Sequence, residues 1–419
     1  RSLSSSSMAS VSFYFQVHQP FRLRRYSVFD TDPFYFDEKA NREIMLKVAD
    51  KCYRPATRKI LDLVRRHEGR FRVSYAISGV CLEQFEQWAP DVIDLFKELA
   101  DTGACEFIGE TSHHSPSFLF SHDEFDRQVD AHRDKIKELF GQTPSVFRNT
   151  ELMYHDDLAW HIAKRGEHRA ILCEGVDRLL KFRSPNYVYA PPRFEGQPES
   201  MAERPVHLLL KNYQLSDDIA FRFGNRDWKE WPLSAERFAS WVNDINGDGY
   251  ICNLFMDYET LGEHQWADTG IFEFLDALPE KIFDVNPGQN DFLTPSQVLD
   301  CHKPVGEYAA PNWISWADTE RDLSAWLGNP LQDNAVEELY SIRDAVYERD
   351  GNPRAGNESD RFVLEDWRKL TTSDHLYYMC TKFWSDGDVH KYFSPYDSPY
   401  DAYINFMNVL DNVKSRVED

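Results

Sequence analysis

The chain reads as an α/β protein in which parallel βα units form a barrel or an open sheet, followed by a helical C-terminal part. Two observations support this. Seven short β-like runs alternate with helix-like segments up to about residue 300, a spacing that suits strands joined by crossover helices. Beyond that point the alternation stops and only helical patterns remain.

The runs lie at 11–17, 71–77, 105–108, 145–147, 170–173, 207–210 and 250–256. Punctuation marks the helices between them. Ser121 stands three residues before Glu124, a capping-box pattern, ahead of Phe125, Val129, Ile136 and Leu139, and Gly141 closes the helix. Asp91 precedes Val92, Leu95, Phe96 and Leu99, and Gly103 follows. Helices are expected at 319–327, 334–349, 359–384 and 400–417. The division is therefore a barrel or sheet domain at 8–305 and a helical region at 306–419. Residues 1–7, a serine-rich leader without the apolar stretch of a signal peptide, are read as an appended segment outside the fold.

Composition narrows the function. With 47 Lys and Arg against 70 Asp and Glu, the net charge of −23 repels phosphate backbones and anionic membranes. No nucleic-acid or membrane partner is expected, and no run is apolar enough to span a bilayer. The seven cysteines are scattered and never in CxxC spacing, as in a reduced, cytoplasmic protein. Aromatic content is 14%, which suits either a large core or a sugar site, since sugar C–H faces stack on aromatic rings.

In α/β folds of either kind, function sits at the carboxyl ends of the strands, and polar clusters fall there. His18 and Gln19 follow the first run. Glu110, His113 and His114 follow the third. Arg148 and Glu151 follow the fourth, Asp217 and Asp218 lie past the sixth, and Asp257 and Glu259 follow the seventh. Glycosidic cleavage needs two carboxyl groups, one to protonate the leaving oxygen and one to attack or to activate water. Glu151 and Asp257 are the candidate pair, and the competing structural reading has Glu151 simply ion-paired with Arg148. Glu259, two residues past Asp257, falls on the same face if the strand continues, where it tunes the Asp257 pKa. Asp244, Asn246 and Asp248 begin like a calcium loop, but Phe255 stands where the closing acid belongs, so the segment reads as a turn. His113–His114 and Cys301–His302 offer no full zinc set. No metal and no cofactor are expected.

Five ordered motifs resemble glycoside hydrolase family 57, in its α-amylase branch. They are Val17-His18-Gln19-Pro20; the segment from Phe107 through Glu110 to His114; that from Phe147 through Glu151 to Tyr154; that from Phe255 through Asp257 and Glu259 to His264; and that from Trp313 through Trp316 to Trp326. A later stretch from Leu370 through Asp374 and His375 to Met379 is also similar to the branch. The resemblance implies a (β/α)7 barrel with a helical C-terminal region and a retaining mechanism on α-1,4-glucans. It casts Glu151 as nucleophile and Asp257 as proton donor, with His18 and Glu110 binding the sugar. Trp231, Trp313 and Trp316 are candidate stacking platforms, and Glu259 and His264 further substrate contacts. Asp374 and His375 reach the site if the helical part folds over the barrel mouth. A 4-α-glucanotransferase or branching enzyme would use the same carboxylates; a metal-dependent deacetylase and a glucan-binding pseudoenzyme are the readings from other classes.

Overall fold

The computed structural model describes residues 8–384 and 392–418. Among the described residues there are eight strands: β1 (Ser10–Val17), β2 (Val73–Ile77), β3 (Cys105–Phe107), β4 (Val146–Arg148), β5 (Ala170–Glu174), β6 (Val188–Tyr189), β7 (His207–Lys211) and β8 (Ile251–Asp257). All are parallel to their neighbours except β6, a two-residue strand antiparallel to β7. The seven parallel strands are the seven expected from the sequence.

They close into a ring. One arc runs β3-β2-β1-β8 and the other holds β4-β5-β7. The first seam is bridged at Gly109, whose N–H donates to the Val146 carbonyl at 2.8 Å and whose carbonyl accepts from Arg148 N–H at 2.8 Å. At the second seam Asn212 N–H donates to the Asn253 carbonyl at 2.9 Å, and Asn253 Nδ2 donates to the Leu210 carbonyl at 2.9 Å.

Period-two alternation sorts the strand residues. Val11, Phe13, Phe15, Val73, Tyr75, Phe107, Leu254 and Met256 pack outward against the helices. Tyr14, Ala76, Val146, Ala170, Leu172, Leu209 and Phe255 form a separate cluster inside. Continuing the inward rows to the carboxyl ends gives Gln16, Arg148, Glu174, Lys211 and Asp257. The barrel is apolar below and polar at its mouth, and burying each large apolar side chain stabilises by roughly 1.5–3 kcal/mol.

The C-terminal helices build their own core, with Trp326, Leu339, Trp367, Val409, Leu410 and Val413 buried in it. Leu23, Tyr26 and Tyr35, from the long loop after β1, pack into the same core. The last helix (Pro399–Val417) grips that loop through one face. Asn405 Oδ1 accepts from Tyr26 N–H at 2.8 Å, Asn408 donates to the Tyr26 carbonyl at 3.0 Å, and Asn412 Oδ1 accepts from the Tyr35 hydroxyl at 2.6 Å.

Two expectations change. Most of 319–327 is loop, with only Ser324–Leu327 helical and with Asp318 and Arg321 left-handed. The helix expected at 359–384 is broken: Val363–Leu370 ends, and Ser373–Tyr377 begins in a new direction. At the break the hydroxyls of Thr371 and Thr372 donate to the carbonyls of Arg368 (2.5 Å) and His113 (2.9 Å), a competition with helix bonding open to such side chains.

Candidate active site

Glu151 follows β4 in a single short turn (Thr150–Leu152) and has φ 57° and ψ 27°, left-handed values that glutamate seldom adopts. That twist presents its carboxylate to two donors. His114 Nε2 lies 2.8 Å from Oε1, and Trp316 Nε1 donates to Oε2 at 2.7 Å. His114 is itself left-handed, at φ 51°. Its other ring nitrogen meets Glu110 Oε1 at 3.2 Å, and Glu110 Oε2 accepts from Gln16 Nε2 at 2.9 Å. A bridging imidazolium thus ties two carboxylates together. Burial opposes the charge on His114, but the bonds to Glu110 and Glu151 prevail and raise its pKa to about 9. Burial likewise works against ionised Glu151, yet the His114 bond and charge, with Arg148, hold its carboxyl below the usual range.

Asp257, the last residue of β8, has the opposite environment. No described residue donates a hydrogen bond to its carboxyl. Burial, and then the negative charge of Glu151, push its pKa up to about 7 against the pull of Arg148, His114 and Lys211. Glu259 does not continue the strand. It lies in the turn Tyr258–Thr260, buried, with Oε1 accepting from the Tyr53 hydroxyl at 2.6 Å and from His18 N–H at 3.2 Å. Burial and the charge of Asp257 raise its pKa.

His18 joins the barrel to the helical part. Nδ1 meets Ser78 Oγ at 2.7 Å, Nε2 meets Asp374 Oδ1 at 2.7 Å, and the ring stacks on His114 with centroids 3.8 Å apart. Asp374 therefore stands at the barrel mouth. Its neighbour does not: His375 is buried beneath the helical core, with Nε2 bonded to the Lys369 carbonyl at 3.1 Å and its ring against Phe406. One helical step turns the two side chains apart, so His375 is a packing residue and not a sugar contact.

The other expected contacts separate in the same way. Glu110 is completely buried with both oxygens engaged, so it positions His114 from beneath. Trp316 reaches the site as a hydrogen-bond donor whose ring carries Arg148 at 4.7 Å and Lys211 at 5.3 Å. Trp313 packs between Phe118 and His155. Trp231 is 40% exposed beside Arg226 and touches none of the cluster. His264 lies among Tyr392 and Phe393, and burial lowers its pKa to about 4.

From the sequence, His114 and Arg148 stood out only as members of the strand-end clusters, without the bridging role of the one or the place of the other beside the carboxylates. Arg148 is wholly buried, and none of its guanidinium nitrogens hydrogen-bonds a described residue. Its inward place on β4, two residues after Val146, was the available signal.

A comparison with known proteins matches the model of "Glycosyl hydrolase family 57" over residues 12–311. A Methanocaldococcus jannaschii protein named "Putative alpha-amylase" is 43% identical over 406 residues, 96% of this chain and 83% of that protein. Among solved structures, a branching enzyme from Thermococcus kodakaraensis superposes with a TM-score of 0.65 at 13% identity, covering 98% of this chain and 94% of that one. A 4-alpha-glucanotransferase from Thermococcus litoralis gives 0.58 at 15% identity; the match covers 92% of this chain but only 54% of that longer one. The (β/α)7 barrel expected from the motifs is the fold these chains share, and the chain belongs to glycosyl hydrolase family 57.

Proposed function

We propose that this chain hydrolyses α-1,4-glucosidic bonds in starch- or glycogen-type glucans by double displacement, with Glu151 as nucleophile and Asp257 as general acid/base. The observation that carries the reading is the opposed environment of two carboxyl groups at one barrel mouth. Glu151 is held ionised by two donors, as a nucleophile requires. Asp257 has no donor among the described residues, and burial with the Glu151 charge favours its protonated form, as a leaving-group acid requires. Attack by Glu151 on the anomeric carbon forms a glycosyl ester while the Asp257 proton passes to the departing oxygen. Asp257 then takes a proton from water, which cleaves the ester with net retention. His18 and Asp374 face the same space and hold the hydroxyls of the sugar being cleaved. The name of the M. jannaschii relative supports hydrolysis.

Retention is tested by proton NMR of the first product from maltooligosaccharides, which should appear as the α-anomer; an initial β-anomer would overturn the mechanism. Glu151→Gln should lower kcat by at least about 10³-fold without loss of glucan binding. Asp257→Asn should lose roughly 10²–10⁴-fold on starch. On an aryl glycoside with a good leaving group, Asp257→Asn should accumulate the glycosyl-enzyme and be rescued by azide, whereas Glu151→Gln should do neither. The same carboxylates suit a transferase, as the branching enzyme and glucanotransferase neighbours illustrate. Products longer than the supplied oligosaccharide would assign transfer; only shorter ones assign hydrolysis.

A further inference from the structure

Three side chains at the barrel mouth meet a second requirement besides holding sugar hydroxyls. One ligand atom from each of His18, His114 and Asp374 lies within 4.8 Å of the other two. Ligands about 2.0–2.2 Å from one ion stand at separations of this order. Both histidines are also oriented from behind. His18 Nδ1 is held by Ser78 Oγ at 2.7 Å and His114 Nδ1 by Glu110 Oε1 at 3.2 Å, which turns Nε2 of each toward a carboxylate, Asp374 Oδ1 at 2.7 Å and Glu151 Oε1 at 2.8 Å. A hydroxyl or carboxylate behind each imidazole is the usual outer support of a metal-binding histidine.

We propose that His18, His114 and Asp374 form a binding site for a divalent cation of borderline softness, Zn²⁺ by class, beside Glu151. Two imidazoles select such an ion over Ca²⁺ or Mg²⁺, which take oxygen ligands. Glu110, Glu151 and Asp374 supply negative charge around it, and Arg148 is the buried cation that opposes it. An ion held there fills the space beside Glu151 that the sugar would take. The ion is therefore an inhibitor, not a catalyst. That consequence rests on the glycosidase reading; the cation site itself does not.

The experiment is titration of the whole wild-type chain with Zn²⁺, without sugar, by calorimetry, repeated for His18→Gln and Asp374→Asn after their melting curves are compared. A surface with a net charge of −23 collects cations non-specifically, so Co²⁺ absorption of the wild type is recorded in parallel. One saturable ion per chain, weakened at least about tenfold by either variant, with the strong visible bands of low-coordinate Co²⁺ and no displacement by excess Ca²⁺, is the expected result. Equal binding in both variants, displacement by Ca²⁺, or the weak spectrum of six-coordinate Co²⁺ overturns the site, even where a variant proves unstable. Maltotriose separates this proposal from the glycosidase reading. If it fails to displace an ion that His18 and Asp374 demonstrably hold, the cation site stands and the glucan reading falls.

Discussion

At the scale of single residues, the site is built from side chains forced into states they do not adopt in water. Left-handed backbone at a residue other than glycine costs on the order of 1–3 kcal/mol, and both ends of the His114–Glu151 bond bear it. Asp257 carries an electrostatic cost as well. Its pKa of about 7 lies above the ordinary 3.8 because of burial and the nearby Glu151 charge. The folded protein therefore binds more protons there than the unfolded chain between those two values. Stability from this group falls as pH rises through that window, and the full cost is present above it. Asp257→Asn should accordingly melt above wild type at pH 8, by on the order of 2 °C, with a smaller gain at pH 5. Activity should show the same group, with kcat/KM falling as pH rises through about 7 because the leaving group loses its acid. An alkaline limb unchanged in Asp257→Asn would assign that limb elsewhere. The positions of Glu151 and Asp257 were legible in the sequence, since both follow β-like runs. Their opposed ionisation was not, because it depends on His114, Trp316 and Arg148, which come from three distant segments.

Elements show where pattern reading succeeds and where it stops. The seven parallel strands were legible because each is a short apolar run bounded by turn residues, and a run of that kind has few other ways to bury itself. Ser121 caps its helix as expected, its hydroxyl accepting from Glu124 N–H at 3.1 Å, and Gly141 ends it at φ 70°. The break at Thr371 and Thr372 was hidden because its stabilising partner is tertiary: the Thr372 hydroxyl and Ser373 N–H bond the carbonyls of His113 and His114, far away in sequence. The break aims Asp374 at His18 and buries His375. Single alanine variants should divide accordingly. Asp374→Ala should lose most of kcat with melting nearly unchanged, because its side chain is partly exposed at the mouth. His375→Ala should lose roughly 1–3 kcal/mol of stability while the folded fraction keeps near-normal kcat. Kinetics and melting curves on both variants decide it; the reverse division would mean that the second helix turns the other way.

For the whole molecule, the question is whether the helical part is a module or part of the barrel's structure. Glu124 gives a way to ask. It lies on the helix His122–Phe140 of the barrel, completely buried, and its carboxylate does not close the capping box that its position suggested. It instead accepts two bonds from Arg368, from Nε at 3.0 Å and Nη2 at 2.9 Å, and one from the Tyr347 hydroxyl at 2.8 Å, both on C-terminal helices. A bidentate pair of this kind fixes orientation as well as distance. It stands on the same side of the interface as the His113–Glu365 contact at 2.7 Å, next to the backbone that carries His114. Removing Arg368 alone leaves a buried carboxylate without its cation, which costs roughly 3–5 kcal/mol. Replacing both partners with apolar residues removes the uncompensated charge and should restore much of that loss. The expectation is that Arg368→Met lowers the melting temperature of the entire chain in one cooperative transition, barrel included, and that Glu124→Leu with Arg368→Met recovers more than half of it. If the helical part were a detachable module, the single variant would split the transition into two, with the barrel melting at its original temperature. Activity followed through the same transition separates the cases again: in a shared structure catalysis disappears with the helical part, because His18 then loses Asp374 and His114 loses the segment that holds its backbone in the left-handed state.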